Sequence, residues 1–86
     1  MKYDVVMIYS DGCPKCQEMR ELIDKCIGKS GLTVSYHNCE DPESLDVALD
    51  YNISDIPGCC IGGIVVVEGE RFSGRKIKGA IKDLIG

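Results

Sequence analysis

Apolar and polar residues follow one another in blocks that predict a strand and then a helix at the start of the chain. The continuous apolar run Val5–Tyr9 ends at a polar turn, residues 10–12, which is typical of a strand buried on both faces. The next apolar residues recur at helical spacing on one face, at Met19, Leu22, Ile23, Cys26 and Ile27. This spacing predicts a first helix that has Pro14 in its first turn and ends at Gly28 and Gly31.

The middle of the chain predicts a second strand and a short second helix. Residues 32–37 alternate between apolar and polar side chains, as a half-buried strand does. Asp41 and Pro42 then have the character of a helix start, with an N-cap acid followed by a proline that needs no N–H partner. The helix is expected to end near Asn52, and its predicted inward face consists of Leu45, Ala48 and Leu49.

The last third of the chain predicts two strands and a final helix. Residues 59–67 favour a strand but contain Gly62 and Gly63, which form either a β-bulge or a tight turn. Residues 68–70 read as a turn and residues 71–73 as a short strand. The last helix has the apolar face Ile77, Ala80, Ile81, Leu84 and Ile85.

The predicted order is therefore β-α-β-α-β-β-α. A βαβ crossover makes the first two strands parallel, whereas the late pair forms a hairpin. The fold class that follows is α/β, with a four-stranded mixed sheet flanked by helices on both faces.

Length and charge narrow the class of protein. The 86 residues suffice for one small domain, which we place at residues 1–86. A net charge of −4 argues against binding to nucleic acid or to an anionic membrane. No apolar run approaches the ~20 residues of a membrane span. Because the residues near Met1 also lack the pattern of a signal peptide, we expect a protein of the cytoplasm. We also expect it to be a monomer.

Six cysteines in so short a chain are the unusual feature of the composition. The disulfide framework of a secreted mini-protein fits poorly, because the chain has long periodic apolar segments and no secretion signal. In a reducing compartment, closely spaced cysteines indicate redox chemistry or metal binding instead.

The segment Cys13-Pro14-Lys15-Cys16 combines a C-x-x-C spacing with a position between a buried strand and a helix. A helix N-terminus offers unpaired N–H groups and a partial positive charge, both of which favour a thiolate, and Lys15 adds a cation. We expect Cys13 to attack a substrate disulfide and Cys16 to resolve the mixed disulfide.

Two alternatives to this redox reading stay open. The spacing of Cys13 and Cys16 could be a matter of chance or of packing. A C-x-x-C segment is also half of a zinc or iron–sulfur site, whose other half could be Cys59 or Cys60.

At this point the chain resembles the thioredoxin superfamily, and small glutaredoxins most of all, over nearly its whole length. Residues 5–16 look like the first strand and active-site turn of a glutaredoxin, and residues 51–57 like the segment with the family's cis-proline. Residues 71–74 are similar to the fourth strand and the turn into the last helix. The resemblance implies a thioredoxin-like fold and a thiol–disulfide oxidoreductase that reduces protein disulfides or glutathione mixed disulfides.

The resemblance also implies how substrate and electrons reach the cysteines. Pro57 would be cis and lie against the cysteine pair, the Ile56 backbone would pair with the substrate chain, and Pro14 and Lys15 would belong to the same substrate-binding surface. No bound cofactor is implied, because the dithiol itself carries the two electrons. Glutathione or a reductase would supply them.

Two single residues and one short segment depart from the family pattern. Met7 stands on the first strand where thioredoxins place a buried acid, so Cys16 cannot transfer its proton to that acid. Lys15 replaces the aromatic residue that usually precedes the second cysteine of glutaredoxins. Residues 73–76 replace the Gly-Gly-x-Asp stretch that helps glutaredoxins hold glutathione, which leaves the electron donor open.

The other four cysteines are expected mainly to pack. Cys26 lies on the apolar stripe of the first helix, and Cys39 follows the second strand near the surface. Cys59 and Cys60 point to opposite faces of one strand, so one of them could approach the active site. His37 is the only histidine, too little for a zinc or catalytic constellation.

Overall fold

A computed structural model describes residues 3–69 and 73–86 and has the predicted element order. The elements are β1 (Val5–Tyr9), α1 (Pro14–Ile27), β2 (Val34–Asn38), α2 (Pro42–Tyr51), β3 (Gly58–Ile61), β4 (Ile64–Glu68) and α3 (Gly74–Ile85). The strands form one sheet in the order β2-β1-β3-β4. β1 is parallel to β2 and antiparallel to β3, and β3 is antiparallel to β4, which confirms the mixed sheet. No helix in these two ranges is long and apolar enough to cross a membrane.

The helices cover both faces of the sheet because successive residues of the central strand β1 point in opposite directions. Val5 and Met7 face α1 and α3 and belong to a core with Met19, Ile23, Ile77 and Ile81. Val6 and Ile8 face α2 and pack with Tyr51, Ile53 and Cys60. All four of these β1 residues are buried, as the continuous apolar run predicts.

The late hairpin is shorter than predicted and lies within residues 58–68. Gly62 and Gly63 have φ values of 62° and 84° and form its tight turn, a conformation that glycine adopts without steric cost. A bulge occurs elsewhere, at a register shift between Cys59 and Cys60. The predicted strand at 71–73 is therefore wrong as the fourth strand, because β4 lies before it. Residues 71 and 72 are outside the described residues, and Ser73 is the N-cap of α3.

The prediction for the inward face of α2 is wrong at two positions. Leu45 and Leu49 are 67% and 69% exposed. Ser44 and Tyr51 are buried in their place, with Val47 and Ala48 packed beside the second core. The Ser44 hydroxyl donates to the carbonyls of residues 39 and 41 at 3.0 and 2.7 Å, and the Tyr51 hydroxyl accepts the N–H of residue 3 at 3.1 Å. These bonds let two polar groups occupy the inner stripe and turn the leucines outward.

Candidate active site

The C-x-x-C segment forms the junction between β1 and α1. Cys13 is the N-cap of α1, in an extended conformation with φ −99° and ψ 106°. Its Sγ accepts the backbone N–H of Cys16 at 3.2 Å, where an oxygen acceptor usually caps a helix. Pro14 occupies the first helical turn, which needs no N–H donor there. The sulfur of Cys13 therefore lies where the helix presents its unpaired N–H groups and its partial positive charge.

Cys16 lies on the inner side of α1 beneath Cys13. It is 2% exposed and belongs to the core that contains Met7 and Met19. Burial, together with the hydrogen bond to Cys13, raises the pKa of the Cys16 thiol to about 11, while hydrogen bonds from the backbone and side chain of Ser10 oppose this rise. Cys16 is therefore a protonated thiol at neutral pH. Cys13 is only partly buried and is the sulfur that a substrate can reach.

A cleft of about 600 Å³ opens beside the two cysteines. Its walls are the loop of residues 9–13 and the face of α1 that carries Gln17, Arg20, Glu21 and Asp24. Both Cys13 and Cys16 line it, so the reactive segment is reached from a concave surface, which is the usual setting of a binding site.

The Arg20 guanidinium lines this cleft and contacts the rings of Tyr9 and Tyr36. Its central carbon is 4.8 Å from the centroid of the Tyr9 ring and 4.7 Å from that of Tyr36, both within cation–π range. The Tyr36 hydroxyl donates to the Asp24 carboxylate. Burial and that carboxylate raise the pKa of Tyr36 well above its ordinary value. The hydroxyl therefore remains a donor, and the cluster joins β2 to α1 beside the cysteines.

The Ile56–Pro57 peptide bond is cis, as the resemblance implies. Pro57 is fully buried, whereas Ile56 is 41% exposed. The next residue, Gly58, pairs with Ile8 near the end of β1 that leads to Cys13. The cis-proline and the cysteine pair therefore lie at the same end of the sheet.

The two residues between the cysteines are exposed. Pro14 and Lys15 both lie on the solvent side of the first turn of α1. The Lys15 ammonium is 3.7 Å from the Glu18 carboxylate, and both side chains are more than half exposed, so this pair contributes little to stability.

The remaining cysteines pack as predicted and do not assemble a site. Cys59 belongs to the core that contains Cys16, whereas Cys60 lies on the opposite face of the sheet, towards α2. Burial raises the pKa of Cys59 to about 12, and it also raises that of Cys60. Cys26 and Cys39 are partly buried against one core each.

The metal alternative is not favoured by this arrangement. Within residues 3–69 and 73–86, no three histidine, cysteine, aspartate or glutamate side chains are grouped as a metal ion would require. Cys59 and Cys60 diverge to opposite faces of the sheet and cannot together complete a four-cysteine site with Cys13 and Cys16.

Several residues of the cleft, including Ser10 and Arg20, were not among the predicted ones. Ser10 lines the cleft with both cysteines, and Arg20 contacts the rings of Tyr9 and Tyr36. The only sequence signal for Ser10 was its place just before the C-x-x-C segment. Arg20 had none, because its ring contacts reach to β1 and β2.

Comparisons with known proteins agree with the fold. A family model described as "Thioredoxin domain" matches residues 4–82. No curated protein is significantly similar in sequence. Among solved structures, a thioredoxin-like protein from Clostridium perfringens is similar at 20% identity and a TM-score of 0.70, over 96% of this chain and 73% of that one. Oxidised thioredoxin from Plasmodium falciparum is similar at 15% identity and a TM-score of 0.65, over 99% of this chain and 85% of that one. At these low sequence identities the two structures support the fold alone. Through the family model, the chain belongs to the thioredoxin-domain family, whose general chemistry is thiol–disulfide exchange.

Proposed function

We propose that the chain reduces disulfides of protein substrates, or glutathione mixed disulfides, through a reversible Cys13–Cys16 dithiol. The observation that carries this proposal is the 3.2 Å hydrogen bond from the Cys16 N–H to the Cys13 sulfur. It holds a reachable sulfur at a helix N-terminus, one turn above Cys16, which is 2% exposed. That asymmetry suits one sulfur for attack and the other for resolution.

The reaction consists of two exchange steps. The Cys13 thiolate attacks one sulfur of the substrate disulfide, forms a mixed disulfide and releases the other substrate sulfur as a thiolate, which takes up a proton from water. Cys16 then loses its proton and attacks the Cys13 sulfur. This step forms the Cys13–Cys16 disulfide and releases the second substrate thiol. Two electrons have passed to the substrate, and glutathione or a reductase must return them.

The substrate chain would lie between the cysteine turn and the cis-proline. Ile56 is 41% exposed at the same end of the sheet as Cys13, and an extended chain can pair with its backbone there. Pro14 and Lys15 are exposed beside Cys13 and would complete the contact surface.

The direct test is to trap the mixed disulfide. A Cys16→Ser protein should accumulate adducts with disulfide substrates on Cys13, because the resolving sulfur is gone, and peptide mapping by mass spectrometry would locate them. Cys26→Ser, which keeps both members of the pair, is the matched control and should turn over without trapping. Adducts on Cys39 or Cys60 instead would overturn the role assignment.

A redox titration tests the pair as a unit and examines the electron donor. In glutathione buffers of graded ratio, followed by alkylation with a mass tag, Cys13 and Cys16 should oxidise together in one two-electron step. A midpoint near the glutathione poise would favour glutathione as donor, and a markedly lower midpoint would require a reductase. If the pair never closes and zinc changes the reactivity of Cys59 together with Cys13, the metal alternative replaces the proposal.

A further inference from the structure

The resolving step requires a thiolate at a place that disfavours charge. Cys16 is 2% exposed, and its neighbours in the core include Met7, Met19 and Ile23, which offer no hydrogen bond strong enough to replace water. Once Cys13 is tied up in a mixed disulfide, its sulfur can no longer accept the proton of the Cys16 thiol. Another group must then stabilise the Cys16 thiolate.

Within residues 3–69 and 73–86, no carboxylate belongs to the core that contains Cys16. The β1 position at which thioredoxins place a buried acid is occupied by Met7, which is fully buried. Among the residues that the structure describes, the buried side chains with a hydroxyl are Ser44 and Tyr51, and both belong to α2, on the other face of the sheet.

The titratable groups around Cys16 are otherwise at the cleft or in the core. The cleft presents Asp11, Arg20, Glu21 and Asp24, besides the Tyr9 ring. From the neighbouring strands come Tyr36, whose hydroxyl is bound to Asp24, and the buried thiol of Cys59. The core residues that α3 contributes, Ile77 and Ile81, carry no charge.

Ser10 is the polar residue whose position suits it to stabilise the Cys16 thiolate. It directly follows β1 and lines the cleft together with Cys13 and Cys16. Polar groups of its backbone and its side chain lower the pKa of Cys16 and so favour the charged form of that thiol. A hydroxyl can donate to a thiolate without introducing a second charge that would need its own solvation.

We propose that Ser10 is a positioning residue that stabilises the Cys16 thiolate during resolution of the mixed disulfide, in a fold that has methionine on β1 instead of an acid. The inference rests on the proposed dithiol exchange and specifies how its second step proceeds. The first step uses the Cys13 sulfur at the helix N-terminus and does not involve the Ser10 hydroxyl.

The two steps can be observed separately with the chromogenic disulfide 5,5′-dithiobis(2-nitrobenzoate). Attack by Cys13 releases the first coloured thiolate at a rate proportional to reagent concentration. Closure by Cys16 releases the second at a rate independent of reagent concentration. Ser10→Ala should leave the first phase unchanged and slow the second roughly tenfold at neutral pH, the loss expected for one hydrogen bond to a charged group. The deficit should shrink as the pH rises and Cys16 ionises unaided.

Three further variants make the result specific. Ser10→Thr keeps the hydroxyl and should restore the fast second phase, whereas its isostere Ser10→Val should not; this pair also serves if Ser10→Ala fails to fold. Ser35→Ala makes the same change on β2, away from the cleft, and should leave both phases as in the unmodified chain.

The outcomes separate this inference from the function on which it rests. A closure rate with the same pH profile in Ser10→Ala as in the unmodified chain, or an equal slowing of both phases, would overturn the role of Ser10 alone. Absence of a concentration-independent second phase in the unmodified chain would overturn the dithiol exchange itself.

Discussion

The Tyr36 hydroxyl on β2 donates to the Asp24 carboxylate on α1, across twelve positions of sequence. This bond fixes the tyrosine ring against the Arg20 guanidinium, which also contacts the ring of Tyr9. Because β2 is an edge strand of the sheet, these contacts add an attachment to α1 beyond its pairing with β1.

Tyr36→Phe isolates the hydrogen bond from the ring contact. The phenylalanine ring can still stack on Arg20, but Asp24 loses its donor, and we expect the free energy of unfolding to fall by about 1 kcal/mol. Urea denaturation at neutral pH in the presence of a reductant measures the difference. Tyr36→Leu, which loses ring and hydroxyl together, should be less stable than Tyr36→Phe. Equal stability of the two variants would show that the ring contact contributes nothing.

The raised pKa of the buried Cys59 thiol predicts that the folded chain loses stability at alkaline pH. Burial raises the pKa of this thiol from 9.0 to about 12, so between pH 9 and pH 11 it stays protonated in the folded chain while it ionises in the unfolded one. The folded state then binds more protons than the unfolded state, and stability must decline as the pH rises through this window.

The measurement is urea unfolding of the reduced protein at pH 7, 9, 10 and 11. Cys59→Ala should be less stable than the unmodified chain at pH 7, because it leaves a cavity. Its decline above pH 9 should be shallower by up to about 1.4 kcal/mol per pH unit. Val67→Ala, which shortens the neighbour of Cys59 on β4, creates a cavity without removing an ionisable group and should keep the full slope. Identical slopes in all three proteins would contradict the role of Cys59.

Gly58, the residue after the cis-proline, has no room for a side chain. A Cβ there would lie 2.2 Å from Cγ2 of Ile53 and 2.5 Å from the carbonyl oxygen of Asp55. Because the second of these atoms belongs to the backbone, we expect Gly58→Ala to cost about 2–3 kcal/mol. Thermal and urea unfolding would measure the loss.

Gly79→Ala is the control, because this glycine-to-alanine substitution should raise the stability and not lower it. Gly79 lies within α3, and an alanine Cβ at this position would meet no atom within 4 Å, so Gly79→Ala should stabilise the protein by up to about 1 kcal/mol. A Gly58→Ala protein as stable as Gly79→Ala would show that the segment before β3 relaxes freely.

The features that the sequence predicts well are those that neighbouring residues determine. The buried run of β1 and the placement of Cys13 and Pro14 at the start of α1 follow from hydrophobic periodicity and from the chemistry of a helix start. The cis form of Pro57 had no such local signal, and only the family resemblance indicated it.

The features that the sequence misses depend on contacts between distant segments. Leu45 and Leu49 have helical spacing and high hydrophobicity, yet the face of α2 that turns inward carries Tyr51, whose hydroxyl accepts the N–H of residue 3. Arg20 reads as one surface charge among several until Tyr36 is brought beside it. Periodicity measures the tendency of a segment to bury one face and carries no information about such partners.

The hydrogen bond between the Cys13 sulfur and the Cys16 N–H makes the proposed nucleophile a structural group as well. A substitution that removes the acceptor at that position weakens the first turn of α1 as well as abolishing the chemistry. Cys13→Ser keeps an acceptor at the N-cap, whereas Cys13→Ala removes it at a cost of about 1 kcal/mol. Serine is therefore the replacement that yields an inactive yet intact protein. An alanine variant would lose both the nucleophile and the helix cap, and the two effects on activity could not be separated.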